Sequence, residues 1–154
     1  MSTATRPRLT EQSFQSSALS RNAAAVFAAA EDHPVAVTRR DGEDLVLMSK
    51  AEAAARQQLL EFAAQLIVVA TDDRGSLADR MAKTLPWMLA LPTDARAQCA
   101  AELLDAARAS FSTGQAHLAV AELTAWRETA TAIAAGLGGT VVDWVTSDIV
   151  VERP

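Results

Sequence analysis

The chain has 154 residues, of which 50% are hydrophobic and 21% charged, and this globular composition excludes a disordered protein. Its net charge of −5 excludes a protein coated uniformly with positive charge for nucleic acid. The charge is uneven, however. Residues 1–40 hold five arginines against three carboxylates, whereas residues 41–154 hold nine basic against sixteen acidic side chains. A basic head on an acidic body is typical of a protein whose first part contacts phosphates while its remainder does something else.

The N-terminal part is predicted to hold two strands and a helix before residue 39. Residues 9–14 form a short strand, and Ser16 or Ser17 caps a helix that ends before Pro34, because a residue that precedes proline avoids the helical region. Residues 35–38 alternate as a second strand. The inner face of the helix is expected to carry Leu19, Ala23, Val26, Phe27 and Ala30.

A hairpin and a second helix follow. Residues 45–48 alternate as the returning strand, and Asp41-Gly42 between the strands predicts a tight turn, across which Arg40 and Glu43 can pair. Ser49 with Glu52 predicts a capping box at the start of the second helix. The apolar stripe of that helix is Ala55, Leu59, Phe62, Leu66 and Val69.

The rest of the chain is predicted to be mostly helical. A polar break at residues 71–75 separates the halves, and Ser76 with Asp79 begins the next helix. Helices over 94–110 and 115–135 follow, with inner faces at Ala97, Ala100, Leu104 and Ala107, and at Ala119, Leu123, Trp126, Ala130 and Ile133. Residues 140–151 are either a terminal strand or an extended partner-binding segment. The fold class is therefore α+β, with domains at 1–72 and 76–154.

Several classes of function find little support. The polar N-terminus shows no signal peptide, and the most apolar run, residues 59–70, is too short to span a membrane, so we expect a cytoplasmic protein. Cys99 reads as a small buried residue. Neither His33 nor His117 has a second ligand at metal spacing, and no phosphate-binding glycine loop or nucleophile elbow is present. We predict no enzyme and no cofactor.

Ser20, Arg21 and Asn22 suggest contact with DNA. An arginine can bridge two acceptors on guanine or hold a phosphate, and an asparagine can bind adenine through two hydrogen bonds. On periodicity alone, polar residues on an ordinary exposed helix face are the favoured explanation of this cluster. Arg39 and Arg40 have a similar alternative as solvated charges beside a turn.

Taken together, these segments resemble the Phd/YefM (prevent-host-death) family of antitoxins. The resemblance is carried by SRN at 20–22, AEDHPVAVTRRDGE at 30–43 and LVLMSKAE at 45–52, and it covers residues 9–70. It implies a small fold with a three-stranded sheet, which dimerises and presents its N-terminal parts to a palindromic operator of its own operon. The second helix and the hairpin face would form the dimer interface.

By matching position, the resemblance implies that Arg21 and Asn22, assisted by Ser20, contact bases or phosphates. Arg39 and Arg40 match the TRR run and would contact the DNA backbone, while Arg6 and Arg8 are carried over by location only. Two features depart from the family. Arg21 and Asn22 are adjacent here, where the commonest pattern has a residue between them, and residues 76–154 look mostly helical where family members are often shorter.

The resulting interpretation is an antitoxin that represses its own operon as a homodimer or higher oligomer and inhibits a cognate toxin sterically through its helical half. Trp126 and Trp144 are candidate toxin contacts, with a core role as the alternative for Trp126. The alternatives are a stand-alone dimeric repressor, whose C-terminal half senses a ligand or completes the oligomer, and an interaction scaffold without DNA binding.

Overall fold

The structure is a computed structural model that describes residues 12–137. The N-terminal arm with Arg6 and Arg8, the predicted start of the first strand, and the segment 140–151 with Trp144 lie outside the described residues. Predictions on them stay predictions. No helix within 12–137 combines the length and the apolar character needed to cross a membrane.

Two strands and two helical segments precede a hairpin in the N-terminal unit. In chain order these are β1 (Ser13–Gln15), α1 (Ala18–Arg21), α2 (Ala23–Asp32), β2 (Val35–Thr38) and β3 (Leu45–Leu47). The strands form one sheet in the order β1-β2-β3, with β1 parallel and β3 antiparallel to β2. The helical segments are the connection between the two parallel strands, as a crossover requires.

The remaining elements are helical and complete an α+β fold, which confirms the predicted fold class. They are α3 (Lys50–Thr71), α4 (Leu77–Thr84), a 3-10 helix (Pro86–Ala90), α5 (Thr93–Thr113) and α6 (His117–Ala134). The α3 helix packs against α4 and α6, and α5 packs against α4 and α6. The α3 helix therefore belongs by packing to the helical half that follows it in sequence.

The two halves differ in the size of their cores. In the N-terminal unit, α2 covers one face of the sheet, and the buried residues are Val26, Ala30, Val35 and Val37. The helical half shares one larger cluster, with buried side chains from α3 to α6 that include Phe62, Met81, Met88, Leu103 and Leu123. The predicted inner stripes of α3 and α6 line this core, with Ala55 half-buried beside it.

The first predicted helix is broken in two. Asn22 has φ −148° and ψ 55°, so it leaves the helical region between α1 and α2. This break changes the direction of the segment, and Leu19 and Phe27, predicted to face inward, are 37% and 52% exposed. The prediction of one continuous amphipathic helix is therefore wrong. The break was not predicted because no proline or glycine marks it in the sequence.

The hairpin is wider than predicted. The pair Val37 and Leu45 is the last in register, so residues 39–44 form a loop around Asp41-Gly42 instead of a two-residue turn. The expected partner of Glu43 is also different, because its carbonyl accepts from Arg39 Nε at 2.8 Å, and Arg40 has no partner within residues 12–137. Gly42 has φ +144°, and a Cβ there would lie 3.0 Å from Arg39 Nη2.

The predicted caps are confirmed in one case and half confirmed in the other. At α4, the Ser76 hydroxyl accepts from Asp79 N at 3.1 Å while Asp79 Oδ2 accepts from Ser76 N at 3.0 Å, which completes the capping box. At α3, the Ser49 hydroxyl accepts from Glu52 N at 3.0 Å. The Glu52 carboxylate accepts from Arg56 Nε instead of reaching back, so this box is only half formed.

The inner face predicted for α5 is partly confirmed. Ala100 and Ala107 are buried as predicted, whereas Leu104 is only half-buried and Ala97 is exposed. Leu103 is fully buried where Leu104 was expected. The buried face also holds Ser110, whose hydroxyl accepts from Ala119 N at 3.0 Å and so links α5 to α6. The alanine-rich sequence offers several stripes of similar apolar content, and packing selects among them.

Candidate nucleic-acid interface

The parallel pairing of β1 with β2 brings two sequence-distant polar groups to one edge of the sheet. Gln15 lies opposite Thr38, and Ser16 N donates to Thr38 O at 2.9 Å immediately after both strands end. The segment that leads to α1 leaves this edge from β1, and Arg39 leaves it from β2. We call residues 16–22 and 39–44 together the carboxyl edge.

The predicted cluster at Ser20, Arg21 and Asn22 lies on the outer part of this edge. All three residues are exposed, and Arg21 occupies the last turn of α1. Within residues 12–137, none of these side chains has a hydrogen bond or ion pair. Their polar groups are therefore available to an external acceptor or donor.

Asn22 lacks the hydrogen bond that is usual for asparagine at its position. It precedes α2 as the N-cap, where asparagine normally accepts a hydrogen bond from the first turn, yet its side chain makes no such bond. The first turn of α2 contains no acidic residue. Because helix N-termini carry partial positive charge, these exposed backbone N–H groups favour an anion.

The two arginines of the hairpin have different roles. Arg39 Nε donates to the Glu43 carbonyl, and the backbone N–H of Arg39 donates to Asp44 Oδ1 at 3.3 Å, so Arg39 closes the loop. Arg40 is exposed and has no partner in the described part of the chain. Of the two, Arg40 is the side chain left to contact a phosphate.

The charge of the described carboxyl edge is close to balanced. The loop 39–44 contains two arginines and three carboxylates, and Arg21 adds one positive charge. The excess of arginine over acid in residues 1–40 therefore depends on Arg6 and Arg8, which lie outside the described residues. We expect an interface that relies on a few directed contacts more than on a broad positive field.

Trp126 has a structural contact in addition to its predicted role at a partner surface. Its Nε1 donates to Glu102 Oε2 at 3.0 Å, which links α6 to α5, and its ring packs against the helical core. Beside it lies an open groove of about 200 Å³, lined by Glu102, Glu122, Ala125, Trp126 and Thr129. The two carboxylates make the mouth of this groove acidic.

The only cysteine of the chain lies below this groove. Cys99 is fully buried, as predicted, and burial together with the nearby carboxylates of Glu102 and Glu122 raises the pKa of its thiol to about 12. A thiol that is buried and held protonated is a poor nucleophile and metal ligand.

Sequence reasoning missed a cleft between the halves. It has a volume of about 330 Å³ and is lined by the end of α2, the start of α3 and the start of α6. Both histidines, His33 and His117, border it, although 84 positions separate them in sequence. Among the described residues, no group of three or more His, Cys, Asp or Glu side chains is arranged to hold a metal ion.

Comparison with known proteins adds no relative. No family model, no curated protein and no solved structure matches this chain.

Proposed function

We propose that the chain is a DNA-binding antitoxin of a type II toxin-antitoxin system. Its N-terminal unit binds operator DNA as a dimer and represses its own operon, and its helical half captures a cognate protein toxin. The observation that supports the proposal most strongly is that Arg21, Asn22 and Arg40 are exposed and without partners within residues 12–137, and belong to the two segments that follow the paired strands β1 and β2.

Each of the three side chains has a distinct task in this proposal. Arg21 and Asn22 end a short helical turn that projects from the sheet, and they contact base edges in the major groove. Arg40 and the N-terminal turn of α2 hold the DNA backbone, because a cationic side chain and free N–H groups both bind phosphate oxygens. Arg39 supports Arg40 by fixing the loop.

The near-balanced charge of the edge limits how strongly binding depends on salt. A site that neutralises Z phosphates loses affinity with a slope of about −0.9 Z on a double logarithmic plot. With one cationic phosphate contact per copy, from Arg40, a dimer would give a slope of about −2, because the neutral N–H groups of the α2 N-terminus release no counterion. Arg6 and Arg8 would steepen the slope if the arm contributes.

The toxin arm of the proposal rests on the acidic helical half. The groove beside Trp126 is bordered by Glu102 and Glu122, and residues 50–154 carry four more acidic than basic side chains. Such a surface complements a basic protein, for instance a ribonuclease that binds its substrate through cationic residues. Inhibition would be steric, by covering the toxin's active site.

One observation favours the alternative, a stand-alone dimeric repressor that senses a ligand. The cleft bordered by His33 and His117 lies where the N-terminal unit meets the helical half, so a small molecule there would contact both. Its volume of about 330 Å³ is within the range of small-molecule sites.

The DNA arm is tested by fluorescence anisotropy with a labelled fragment from upstream of the gene, titrated at several salt concentrations. We expect selective binding that Arg21→Ala weakens by about 1–3 kcal/mol per half-site. Arg40→Ala would weaken binding to all sequences alike and reduce the salt slope. Arg108→Ala is the matched control, because Arg108 is an exposed arginine of α5 whose nearest carboxylate, Asp105, is 3.7 Å away.

The toxin arm is tested by co-expression with the product of each neighbouring gene and affinity capture of the tagged chain. We expect a stable complex that Glu122→Lys weakens, since this change cancels the negative charge of the groove without removing the Trp126 hydrogen bond to Glu102. Selective DNA binding without any captured gene product would favour the stand-alone repressor. Unselective DNA binding that is equal in Arg21→Ala and Arg108→Ala would contradict the proposal.

A further inference from the structure

The α3 helix carries two apolar stripes on opposite faces. The inner one packs into the helical core. The outer one is exposed to solvent and consists of four apolar residues, Ala53, Leu60, Ala64 and Ile67, together with Gln57 and Thr71. We call these six residues the outer seam. Leu60 is 67% exposed and Ile67 64% exposed, the former among the most exposed large apolar side chains of the described residues.

The spacing of the outer seam is 4-3-4-3-4, which is the heptad repeat of a two-stranded coiled coil. Leu60 and Ile67 occupy successive d positions, and Ala64 lies at the a position between them. The seam spans 19 residues of a continuous helix, about 28 Å at 1.5 Å per residue. A stripe of this length is long enough to pair with a second helix along five turns.

The charges beside the seam are self-complementary. With Leu60 at d, Arg56 falls at g and Glu61 at the following e position, and these are the positions that face each other across a parallel pair. The next such pair is Ala63 with Val68, and Val68 is 58% exposed. An antiparallel pair centred on Leu60 and Ala64 would instead bring the two Glu61 carboxylates together.

Arg56 and Glu61 are both able to make this contact. Arg56 donates through Nε to Glu52 at 2.6 Å, which leaves its terminal N–H groups for another carboxylate. Glu61 Oε1 accepts from Gln57 Nε2 at 3.0 Å, which orients the carboxylate at the border of the seam. Both side chains are on the exposed surface of α3, Arg56 with 45% of its side chain accessible.

We infer that the occupant of the outer seam is a second copy of the same helix, in parallel and in register, with reciprocal Arg56–Glu61 ion pairs. This inference rests on the proposed function only for the existence of a dimer and is independent of DNA binding. A parallel seam places the two α3 N-termini, and with them both N-terminal units, at the same end of the dimer. Two carboxyl edges are then presented on one side.

The first test is the molar mass of the full-length chain by size-exclusion chromatography with light scattering over a concentration series. We expect about twice 16.3 kDa for the native chain. Leu60→Asp should raise the dimer dissociation constant roughly a hundredfold or more, because two unpaired carboxylates would be buried in the seam. Leu89→Asp is the matched control, since Leu89 is a similarly exposed leucine, at 61%, on the 3-10 helix.

The second test addresses the ion pairs and the orientation. Arg56→Glu and Glu61→Arg should each weaken self-association, and an equimolar mixture of the two variants should associate more tightly than either alone, because the mixed dimer restores both pairs. Ala53→Cys should form a symmetric disulfide-linked dimer under mild oxidation, as residue 53 faces its own copy only in a parallel pair. The native chain, whose Cys99 is buried, is the control.

Several results would overturn the inference: a monomeric native chain, a dimer that Leu60→Asp leaves intact, or Ala53→Cys chains that fail to cross-link while Ala53→Cys/Thr71→Cys chains do. Helical circular dichroism of each variant shows whether the fold is kept. Selective operator binding by a dimer that Leu60→Asp leaves intact would overturn the seam and leave the proposed function standing. A dimer that Leu60→Asp disrupts, in a chain that binds no DNA, would support the seam and contradict the proposed function.

Discussion

The N-terminal unit and the helical half differ in how many apolar side chains they bury. The unit of residues 12–47 buries four side chains fully, and leaves Phe27, Leu45 and Val46 each more than half exposed. The helical half buries one large cluster drawn from four α-helices and the 3-10 helix between them. The helical half also exposes large apolar side chains, among them Leu60 and Ile67 of the outer seam. Because stability follows buried apolar area, the helical half should nevertheless be the more stable part and the N-terminal unit the less stable one.

The first prediction uses thiol labelling to compare the two cores. Cys99 is fully buried, and its pKa is raised to about 12, so labelling requires the helical half to open. Val26→Cys in a Cys99→Ala background reports the core of the N-terminal unit in the same way, because Val26 is also fully buried. We expect the cysteine at position 26 to be labelled roughly a hundredfold faster than Cys99, a difference of about 3 kcal/mol in opening free energy.

The control for this comparison is labelling in strong denaturant, where the two cysteines should react alike. Equal rates in native buffer would mean that both halves open in one cooperative transition. That result would contradict the expected difference in stability between the helical half and the N-terminal unit.

The second prediction concerns neighbouring leucines in α5. Leu103→Ala should lower the free energy of unfolding by about 2–5 kcal/mol, since it removes a fully buried side chain and leaves a cavity. Leu104→Ala is the matched control and should cost clearly less, because Leu104 is only half-buried. Urea denaturation followed by circular dichroism measures both. A larger loss of stability in Leu104→Ala than in Leu103→Ala would mean that Leu104 is the core residue, as the sequence predicted, and would contradict the packing of α5 described above.

The third prediction tests the capping box of α4. Ser76→Ala removes the acceptor for Asp79 N and should lower the free energy of unfolding by about 1 kcal/mol. It should also raise the pKa of Asp79, which the Ser76 hydrogen bonds now hold below its ordinary value. Ser112→Ala is the control, since that hydroxyl only donates to Ala109 O within α5. Carboxyl titration by NMR distinguishes the two variants.

The smallest effect is expected from Asp72, which follows the end of α3. Hydrogen bonds from the Arg74 side chain and backbone, and from Lys83, lower its pKa from 3.8 to about 2. A depressed pKa in the folded state means that the contribution to stability is fully present above pH 3.8 and is lost as the pH falls through about 2. Asp72→Asn should reduce the acid sensitivity of the helical half slightly. Asp73→Asn, at an exposed neighbour, should leave it unchanged.

The sequence predicted much of the helical half because strong local signals agree there. Ser76 and Asp79 predicted a helix start, and the stripe that contains Phe62 and Val69 predicted the inner face of α3. The predicted inner face of α5 was only partly right, because an alanine-rich helix shows little difference in hydrophobicity between neighbouring faces. The break at Asn22 was missed because a backbone change at asparagine has no strong sequence signal.

The sequence could name the individual residues of the candidate site, but it could not predict which of them lie on the same edge of the sheet. Arg21 and Arg40 are separated by 18 residues, and the segments that carry them leave the same edge of the sheet only because β1 pairs in parallel with β2. A three-residue strand gives no sign of its partner or direction. The sequence also could not predict that Arg39 closes the loop while Arg40 stays unpaired, since this depends on which guanidinium reaches the Glu43 carbonyl across the loop.

The most direct test is hydrogen exchange, followed by mass spectrometry, of the native full-length chain with and without a DNA fragment from upstream of its gene. If the N-terminal unit is the DNA-binding part, DNA should slow exchange in residues 16–26 and 38–44 and leave α5 and α6 unchanged. Arg21→Ala should abolish that protection. Protection confined to α5 and α6, or none at DNA concentrations that saturate binding, would contradict the assignment of DNA binding to the carboxyl edge.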